Sequence, residues 1–371
     1  MPIIIYICGT VNPSVMPQNR PDRGSGKRNS FDRDTISRRR LIQGAAGASL
    51  VGLSGCLGGD DDVTTLDVAT APSGSSSFLS GQAMSRALDE HSETAGLTVA
   101  ETDGWVANAN LYDAGDFETI QMDNNTLTSA LAGEDPFGSP IDMPLQGFHY
   151  TSLEIYFVAL EGTGIESTAD LTEEHTVWPM QPGFGTRLLT EDLMRQSSLW
   201  DRVEINNVSV GDAAGAAEEG RVDVLAVYGA NRVGLSGWAE EVGTRNDIYA
   251  IELDDNFESV VRDHPGARVE QFEPYGFDQD LTRVTDEVTS WVLDGQFMFS
   301  ESISEDVAYE LARVTHEHID TIREANESYP DHSDPEVMTN ALVPDEPIHP
   351  GVADFFEEQD VWDDSWERGE I

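Results

Sequence analysis

A strand that runs into a loop of small residues and then directly into a helix is the feature that most restricts the fold of this chain. Residues 177–194 show it most clearly, because an apolar stretch at 177–180 precedes a turn at 181–185. Pro182, Gly183 and Gly185 interrupt regular structure in that turn. From Thr186 onward the apolar residues recur at helical spacing, which predicts an amphipathic helix. The segment is therefore predicted to be a strand–turn–helix unit.

The same unit repeats three times near the start of the predicted globular part. Predicted strands and helices alternate there, with small or capping residues between them: strands at 65–69, 97–101 and 117–122, and helices at 78–90, 106–114 and 124–131. Alternation of this kind predicts an α/β fold with a mostly parallel sheet. Ligands of such sheets bind outside the carboxyl ends of the strands, so the loops are candidate binding sites.

The rest of the chain adds further elements of both kinds. The predicted strands are 154–160, 203–208, 222–227, 248–253 and 293–299, and the predicted helices are 212–219, one long helix at 305–326, and two short ones within 335–359.

The turn at 181–185 has the properties of an anion site. A glycine loop that leads into a helix exposes backbone N–H groups at the positive end of the helix dipole. Thr186 is predicted to cap that helix, and Arg187 adds a full positive charge beside it. The alternative is a structural unit that binds nothing.

The charge balance excludes one class of partner. The chain has 371 residues and a formal net charge of −48, from 21 basic and 69 acidic residues. The first 55 residues hold eight of the basic and three of the acidic residues, so the remainder carries 13 basic and 66 acidic ones. No basic patch is present to hold nucleic acid. A surface this acidic repels itself unless salt screens it, which predicts a halophilic protein.

The N-terminal segment reads as an export signal. A twin-arginine pattern at Arg38 and Arg39 precedes an apolar run of small residues at 44–53. The sequence then reaches Leu53-Ser54-Gly55-Cys56, a lipobox in which Cys56 is the predicted lipid acceptor. Residues 1–55 are thus a predicted signal peptide, and 56–64 an acidic tether. The mature protein is expected on the extracytoplasmic face of the cell membrane, anchored through Cys56.

A series of short motifs in the globular part resembles a known family. In order they are the loop at 69–81, the turn Thr102-Asp103-Gly104 leading to Asn108, Gln121-Met122-Asp123, Gly164-Ile165 with Asp170-Leu171, Gly183-Phe184-Gly185-Thr186, Gly220-Arg221-Val222-Asp223, Glu305-Asp306 with Tyr309, and His349-Pro350-Gly351. In this order they resemble the TAXI solute receptors of tripartite ATP-independent periplasmic (TRAP) transporters.

The resemblance implies a fold and a function. The fold would be that of a type II periplasmic binding protein, with two lobes and a ligand cleft between them. Lobe 1 would comprise residues 65–155 and 270–371, and lobe 2 residues 156–269. The protein would be a receptor and not an enzyme, without cofactor or metal. It would pass a small organic acid or amino acid to TRAP permease subunits. A receptor for an ABC importer or a sensor is the first alternative, and an extracellular hydrolase is the second.

The cleft predicted from this resemblance takes its residues from four loops at strand ends. The candidate ligand-binding residues are Ser75, Ser76, Ser77, Asn108, Gly183, Phe184, Gly185, Thr186, Arg187, Tyr228 and Arg232. Arg187 and Arg232 could hold a carboxylate in a bidentate manner. The alternative for both is pairing with surface acids. His316, His318, Glu310 and Asp320 are read as a solvated helix face rather than a metal site, because no accompanying metal motif is present.

Overall fold

The computed structural model describes residues 63–371, which form one mixed sheet with helices packed around it. The strands, numbered in chain order, are β1 (Thr64–Ala69), β2 (Ala95–Ala100), β3 (Thr119–Asp123), β4 (Leu145–Leu160), β5 (Thr176–Trp178), β6 (Glu204–Ile205), β7 (Val224–Ala230), β8 (Gly234–Leu235), β9 (Ile248–Ala250), β10 (Arg268–Phe272) and β11 (Val288–Phe299).

Ten α-helices are described, together with three short 3-10 segments. The helices are α1 (Ser76–His91), α2 (Trp105–Asp113), α3 (Asn124–Ala132), α4 (Gly185–Gln196), α5 (Val210–Glu218), α6 (Gly237–Arg245), α7 (Asp255–Asp263), α8 (Glu305–Glu317), α9 (Ile319–Ala325) and α10 (Pro350–Glu358). The 3-10 segments are Thr168–Asp170, Trp200–Arg202 and Pro335–Thr339.

The sheet is parallel at its two ends and antiparallel through its middle. Its strand order is β2-β1-β3-β11-β4-β7-β5-β6. The pairs β1–β2, β1–β3, β5–β6 and β5–β7 are parallel, whereas β11 and β4 run antiparallel to each other and to their other neighbours in this order. Both central strands are long and almost wholly buried, which is typical of strands that are covered on both faces. The predicted α/β fold is therefore confirmed, but the sheet as a whole is mixed rather than mostly parallel.

Local patterns were sufficient to predict the first six elements. The strands and helices predicted between residues 65 and 131 correspond to β1, α1, β2, α2, β3 and α3, with ends displaced by about two residues. Each of the three helices follows its strand directly or after a short loop. The carboxyl ends of the strands and the N-termini of the helices therefore lie together.

Two other predictions were wrong in extent. Strand β4 begins at Leu145, nine residues before the predicted start, because its first half is buried against β11 rather than patterned by alternation. The long helix predicted at 305–326 is broken at His318, which has φ −118° and ψ 31° and stacks its ring on His91. The result is two helices, α8 and α9, instead of one.

The export and anchor predictions lie outside the described residues. They concern Arg38, Arg39, Cys56 and the segment 1–55, as well as most of the tether. Within residues 63–371, no helix combines the length and the apolar character needed to cross a membrane.

Candidate functional site

Three helix N-termini meet around one small cavity. The cavity measures about 40 Å³, which is room for about three water molecules. It is lined by residues from the starts of three helices and the loops before them, and from strands β4 and β7: Ala71, Pro72, Ser75, Ser76, Ser77, Gly104, Trp105, Leu153, Phe184, Gly185, Thr186 and Tyr228. Seven of the predicted site residues are in this set, namely Ser75, Ser76, Ser77, Phe184, Gly185, Thr186 and Tyr228.

The first turns of α1, α2 and α4 contain backbone amides without a partner inside the helix, although the Phe78 amide of α1 donates to Ser75 Oγ. The first amides of a helix have no partner inside the helix. The first backbone hydrogen bond within each helix runs from an amide to the carbonyl four residues earlier. These bonds are Leu79 to Ser75 in α1, Asn108 to Gly104 in α2 and Leu188 to Phe184 in α4. The amides before them in each helix are left to side chains, water or a ligand. Three partial positive charges therefore converge on the cavity.

The Thr186 hydroxyl is buried at this site without a hydrogen-bond partner. Its residue is 3% exposed, and its Oγ1 has neither donor nor acceptor among the described residues. The prediction that Thr186 caps α4 was wrong. The helix starts at Gly185, so Thr186 lies within the first turn, and the capping position belongs to Phe184, which has no side chain able to cap. The hydroxyl is thus enclosed, and a ligand would reach it only if the residues around it moved.

The opposite wall, in contrast, is already hydrogen-bonded. Ser75 Oγ accepts from the Phe78 amide, 3.2 Å away, and so caps α1. The Tyr150 hydroxyl lies 2.8 Å from Ser77 Oγ and accepts from Trp105 Nε1 at 2.8 Å. Burial raises the pKa of Tyr150 far above its usual value, so the phenol stays neutral and rigidly placed.

Arg187 does not face the cavity. Its Nε donates to Glu191 Oε2 at 2.9 Å, and its Nη1 donates to the Met180 carbonyl at 3.0 Å and to Asn207 Oδ1 at 3.1 Å. The residue is 7% exposed, so the expectation of an exposed cleft side chain was wrong. Met180 has φ +83°, an unfavourable conformation for a side-chain-bearing residue, and the guanidinium holds its carbonyl. Arg187 therefore supports the loop that presents Thr186.

Arg232 is also engaged elsewhere. Its Nε donates to Glu270 Oε2 at 3.0 Å, and its guanidinium lies 3.8 Å from the centre of the Phe272 ring. It does not line the cavity. Both arginines thus pair with acidic side chains, as the alternative interpretation of the sequence held.

Two more predicted residues support the cavity without lining it. Asn108 is fully buried, and its Nδ2 donates to the carbonyls of Ala69, Thr70 and Gln121. It ties α2 to the ends of β1 and β3. Gly183 has φ +93°, which favours glycine, and a side-chain carbon on Gly104 would lie 3.9 Å from its carbonyl oxygen. The loops before α2 and α4 therefore lie close together.

The candidate list derived from the sequence lacks five of the twelve lining residues, namely Ala71, Pro72, Gly104, Trp105 and Leu153, and it lacks Tyr150 behind them. Trp105 follows Gly104 and contributes an apolar side chain to the lining. Leu153 and Tyr150 lie in the part of β4 that was not predicted as a strand. Once β4 is known to be a buried central strand, both belong near the carboxyl ends of its neighbours.

Gly185 is the point where α4 approaches α2 and α3 most closely. A side-chain carbon placed on Gly185 would lie 2.4 Å from Asp123 Oδ2 and 2.6 Å from Trp105 Cε3. Asp123 caps α3 through Oδ1, which accepts from Thr126 N at 2.8 Å, while its Oδ2 has no partner among the described residues. Burial raises the pKa of Asp123 to about 6. The contact is tight enough to require glycine.

A buried Ser–His–Asp group occurs on the central strands, but it is not connected as a nucleophilic triad. Ser152 Oγ donates to Asp294 Oδ1 at 2.5 Å, and His149 Nε2 lies 2.9 Å from the same hydroxyl. Because the serine proton goes to Asp294, the imidazole must donate through Nε2, and its Nδ1 has no partner. Arg268 pairs with the same Asp294 carboxylate. In a triad the carboxylate would instead orient the histidine.

The histidines of the helix face at 310–320, His316 and His318, make contacts with other residues. His316 Nδ1 lies 2.6 Å from the His332 carbonyl oxygen, and His318 stacks on His91 at 3.8 Å between ring centres. Between residues 63 and 371, no three His, Cys, Asp or Glu side chains are grouped so as to hold a metal ion.

Comparison with protein families gives a match over most of the described chain. The model of the NMT1-like family matches residues 68–359. The chain belongs to the NMT1-like family. No curated protein matches it in sequence.

Solved structures similar to this NMT1-like chain include transport proteins. One is the periplasmic aliphatic sulphonate binding protein SsuA from Escherichia coli, at 13% identity and a TM-score of 0.39, with 82% of this chain and 96% of that chain covered. Another is a ligand binding component of an ABC-type import system from Staphylococcus aureus, at 10% identity and a TM-score of 0.40, with 82% and 96% covered.

Proposed function

We propose that this protein is an extracytoplasmic solute-binding receptor that captures a small organic anion. The observation that carries the proposal is the cavity at which α1, α2 and α4 begin. It combines free helix-start amides with a buried, unpartnered Thr186 hydroxyl. Amides and hydroxyls at helix N-termini are donors to anions. Small-molecule sites likewise combine apolar walls with a few polar groups, in pockets of about 300–1,000 Å³.

Capture would occur by closure of two lobes, residues 65–155 with 270–371 and residues 156–269. The contacts of Gly185 with Asp123 and Trp105 cross the proposed boundary between them. The loops that hold Gly104 and Gly183 also approach each other across this boundary. A cavity of about 40 Å³ would then represent the closed form, and the solute would enter when these contacts part.

The proposed membrane partner is a TRAP permease, on the strength of the ordered TAXI-like motifs. An ABC importer or a sensor remains the alternative partner. A permease gene next to this one, and uptake that fails when that gene is deleted, would decide for the first. Turnover of any solute by the purified protein would instead favour a hydrolase.

The proposed location is the outer face of the cell membrane, through twin-arginine export and a lipid on Cys56. Cys56→Ser should release the protein from the membrane fraction or leave it unprocessed. Membrane association that persists with unmodified Cys56 would contradict the anchor. The acidic composition supports a halophilic setting, in which the melting temperature rises between 0.1 M and 3 M KCl.

The receptor proposal is tested by recovering the solute. The full chain is purified in molar KCl, and the released small molecules are identified by mass spectrometry. We expect one organic anion, recovered chemically unchanged and in stoichiometric amount, that raises the melting temperature when added back. A chain that yields no solute and is stabilised by no member of an organic-acid panel would contradict the proposal.

A further inference from the structure

Three places in the sequence have the pattern Asn-x-Ser/Thr with a middle residue other than proline: Asn124-Asn125-Thr126, Asn207-Val208-Ser209 and Asn326-Glu327-Ser328. This pattern is the acceptor of N-linked glycosylation in proteins outside the cell. A pattern this short also occurs by chance, so it assigns nothing by itself. Because a glycan is bulky and is carried on surface loops, the structure discriminates among the three sites.

The first site is built into the start of α3. Asn124 is the first residue of that helix, and its Oδ1 accepts from the Asn125 amide at 3.1 Å. Thr126, whose hydroxyl completes the pattern, is 0% exposed. It lies against α4, since a side-chain carbon on Gly185 would be 3.0 Å from Thr126 Oγ1. A transferase that meets the folded chain would not reach this hydroxyl.

The third site is closed by its own hydrogen bonds. Asn326 follows α9 and is 9% exposed. Its Nδ2, the atom that would carry a glycan, donates to Ser80 Oγ of α1 at 3.3 Å. Its Oδ1 accepts from Ser328 Oγ at 2.8 Å. A sugar on this nitrogen would collide with α1, so the site is not an acceptor in the folded protein.

The second site has the opposite properties. Residues 206–209 connect β6 to α5 without regular structure, and both Asn207 and Ser209 are exposed. Asn207 Oδ1 accepts from Arg187 Nη1 at 3.1 Å, and Arg187 is itself 7% exposed. Since the amide oxygen is turned toward a buried guanidinium, Nδ2 is left on the outer side. Within residues 63–371 this nitrogen makes no hydrogen bond.

We propose that Asn207 is a site of N-linked glycosylation and that Asn124 and Asn326 are not. The inference rests on the proposed location outside the cell. The twin-arginine route carries folded proteins, so the acceptor must be exposed in the folded chain. Neither Asn207 nor Ser209 lines the solute cavity, and the glycan would therefore lie apart from it.

The transfer needs a sugar donor, which we take to be a glycosyl phosphate carried on a lipid. A bond forms between Asn207 Nδ2 and the anomeric carbon of the sugar, and the bond from that carbon to a phosphate oxygen breaks. The phosphate leaves with the electron pair of the broken bond, and the amide nitrogen gives up one of its two protons. The amide oxygen takes no part, so its contact with Arg187 is kept.

The test is peptide mass spectrometry of the full chain, isolated from the membrane fraction of the organism that encodes it. We expect a glycan on the peptide that contains Asn207 and none on the peptides that contain Asn124 and Asn326. Ser209→Ala should abolish the modification while leaving Asn207 and its contact with Arg187 in place. Ser209→Thr, which keeps the pattern, should retain the modification, and so should the control Asn326→Gln.

The outcomes separate this inference from the proposed location. An unmodified Asn207 in protein that has lost residues 1–55 would overturn the assignment while the location stands. A glycan on Asn124 or Asn326 would also overturn it, because exposure would then not determine the acceptor. If the protein keeps its N-terminal segment and is found inside the cell without a glycan, the proposed location fails and this inference fails with it.

Discussion

The loops that precede α1 and α4 are both loops of small residues between a strand and a helix, but they differ in how their side chains are hydrogen-bonded. In the first, Ser75 caps its own helix and Ser77 pairs with Tyr150. In the second, no side chain caps the helix, and the Thr186 hydroxyl is buried without a partner. The charged residue of the second loop, Arg187, faces away and holds the loop from behind. We therefore expect the first loop to act as a structural support and the second to contribute to the proposed ligand site.

The largest expected effect is on stability, through Arg187. Replacing it with alanine should lower the free energy of unfolding by about 2–4 kcal/mol, because the Met180 carbonyl and Asn207 lose a buried, charged donor. Chemical denaturation in molar salt measures this. Arg195→Ala is the matched control, since Arg195 pairs with the same Glu191 but its side chain is 52% exposed. It should cost less than about 1 kcal/mol. Equal losses would show that Arg187 is a surface residue after all.

Gly185 tests whether the second loop is a tight contact. A methyl group there would meet Asp123 and Trp105 at under 3 Å, so Gly185→Ala should cost about 1–3 kcal/mol or hold the two proposed lobes apart. Small-angle scattering with and without solute distinguishes these results. In the control Gly211→Ala, in α5, the nearest atom to the added carbon is 4.0 Å away. This control should be neutral or stabilising. If Gly185→Ala is as stable as Gly211→Ala, Gly185 is not in tight contact with Asp123 and Trp105.

The pH dependence of stability tests the carboxyl that faces the second loop. Because the pKa of Asp123 is raised to about 6 in the folded protein, the folded state holds this proton to higher pH than the unfolded chain does. Its ionisation therefore lowers stability as the pH rises from about 4 to about 6. Asp123→Asn keeps an N-cap residue on α3 and removes the ionisation. The variant should gain about 1–3 kcal/mol over the wild type across that range. A difference that is constant from pH 4 to pH 7 would show that Asp123 ionises freely.

The smallest effect is expected at the first loop. Ser75→Ala removes the cap of α1 and should lower stability by about 1 kcal/mol. Ser75→Asn, which retains a capping side chain, should restore most of it. If the alanine variant is as stable as the wild type, the first loop does not depend on its own hydrogen bonds, and the contrast between the two loops is lost.

These residues also show how far the sequence could predict the site. The strand–loop–helix units could be predicted because apolar periodicity and glycine position are local, and the candidate residues Ser75–Ser77 and Phe184–Thr186 line one cavity. Side-chain direction was not readable. Whether Arg187 faces a ligand or its own loop depends on Met180, Glu191 and Asn207, and nothing local says that these three converge on it.

The central strands explain the other errors. The start of β4 carries Tyr150 and Leu153 into the site, but a fully buried strand lacks the alternation by which strands are recognised. The mixed character of the sheet could not be predicted either. The antiparallel strands β4 and β11 pair across more than 100 residues of sequence, and no local pattern shows such a pairing.

The most direct test of the account is the affinity of the Thr186→Val variant for the anion that copurifies with the protein. Calorimetric titration should show binding about ten-fold to a hundred-fold weaker than wild type, because a hydrogen bond to a charged group is lost. Stability should be unchanged or higher, since the unpartnered hydroxyl becomes a methyl group. Thr190→Val, one turn along α4, should lower stability and leave the affinity unchanged. The Thr190 hydroxyl donates to the Thr186 carbonyl and accepts from Trp291 Nε1, and it does not line the cavity. Unchanged affinity in Thr186→Val would contradict the claim that this helix start binds the solute.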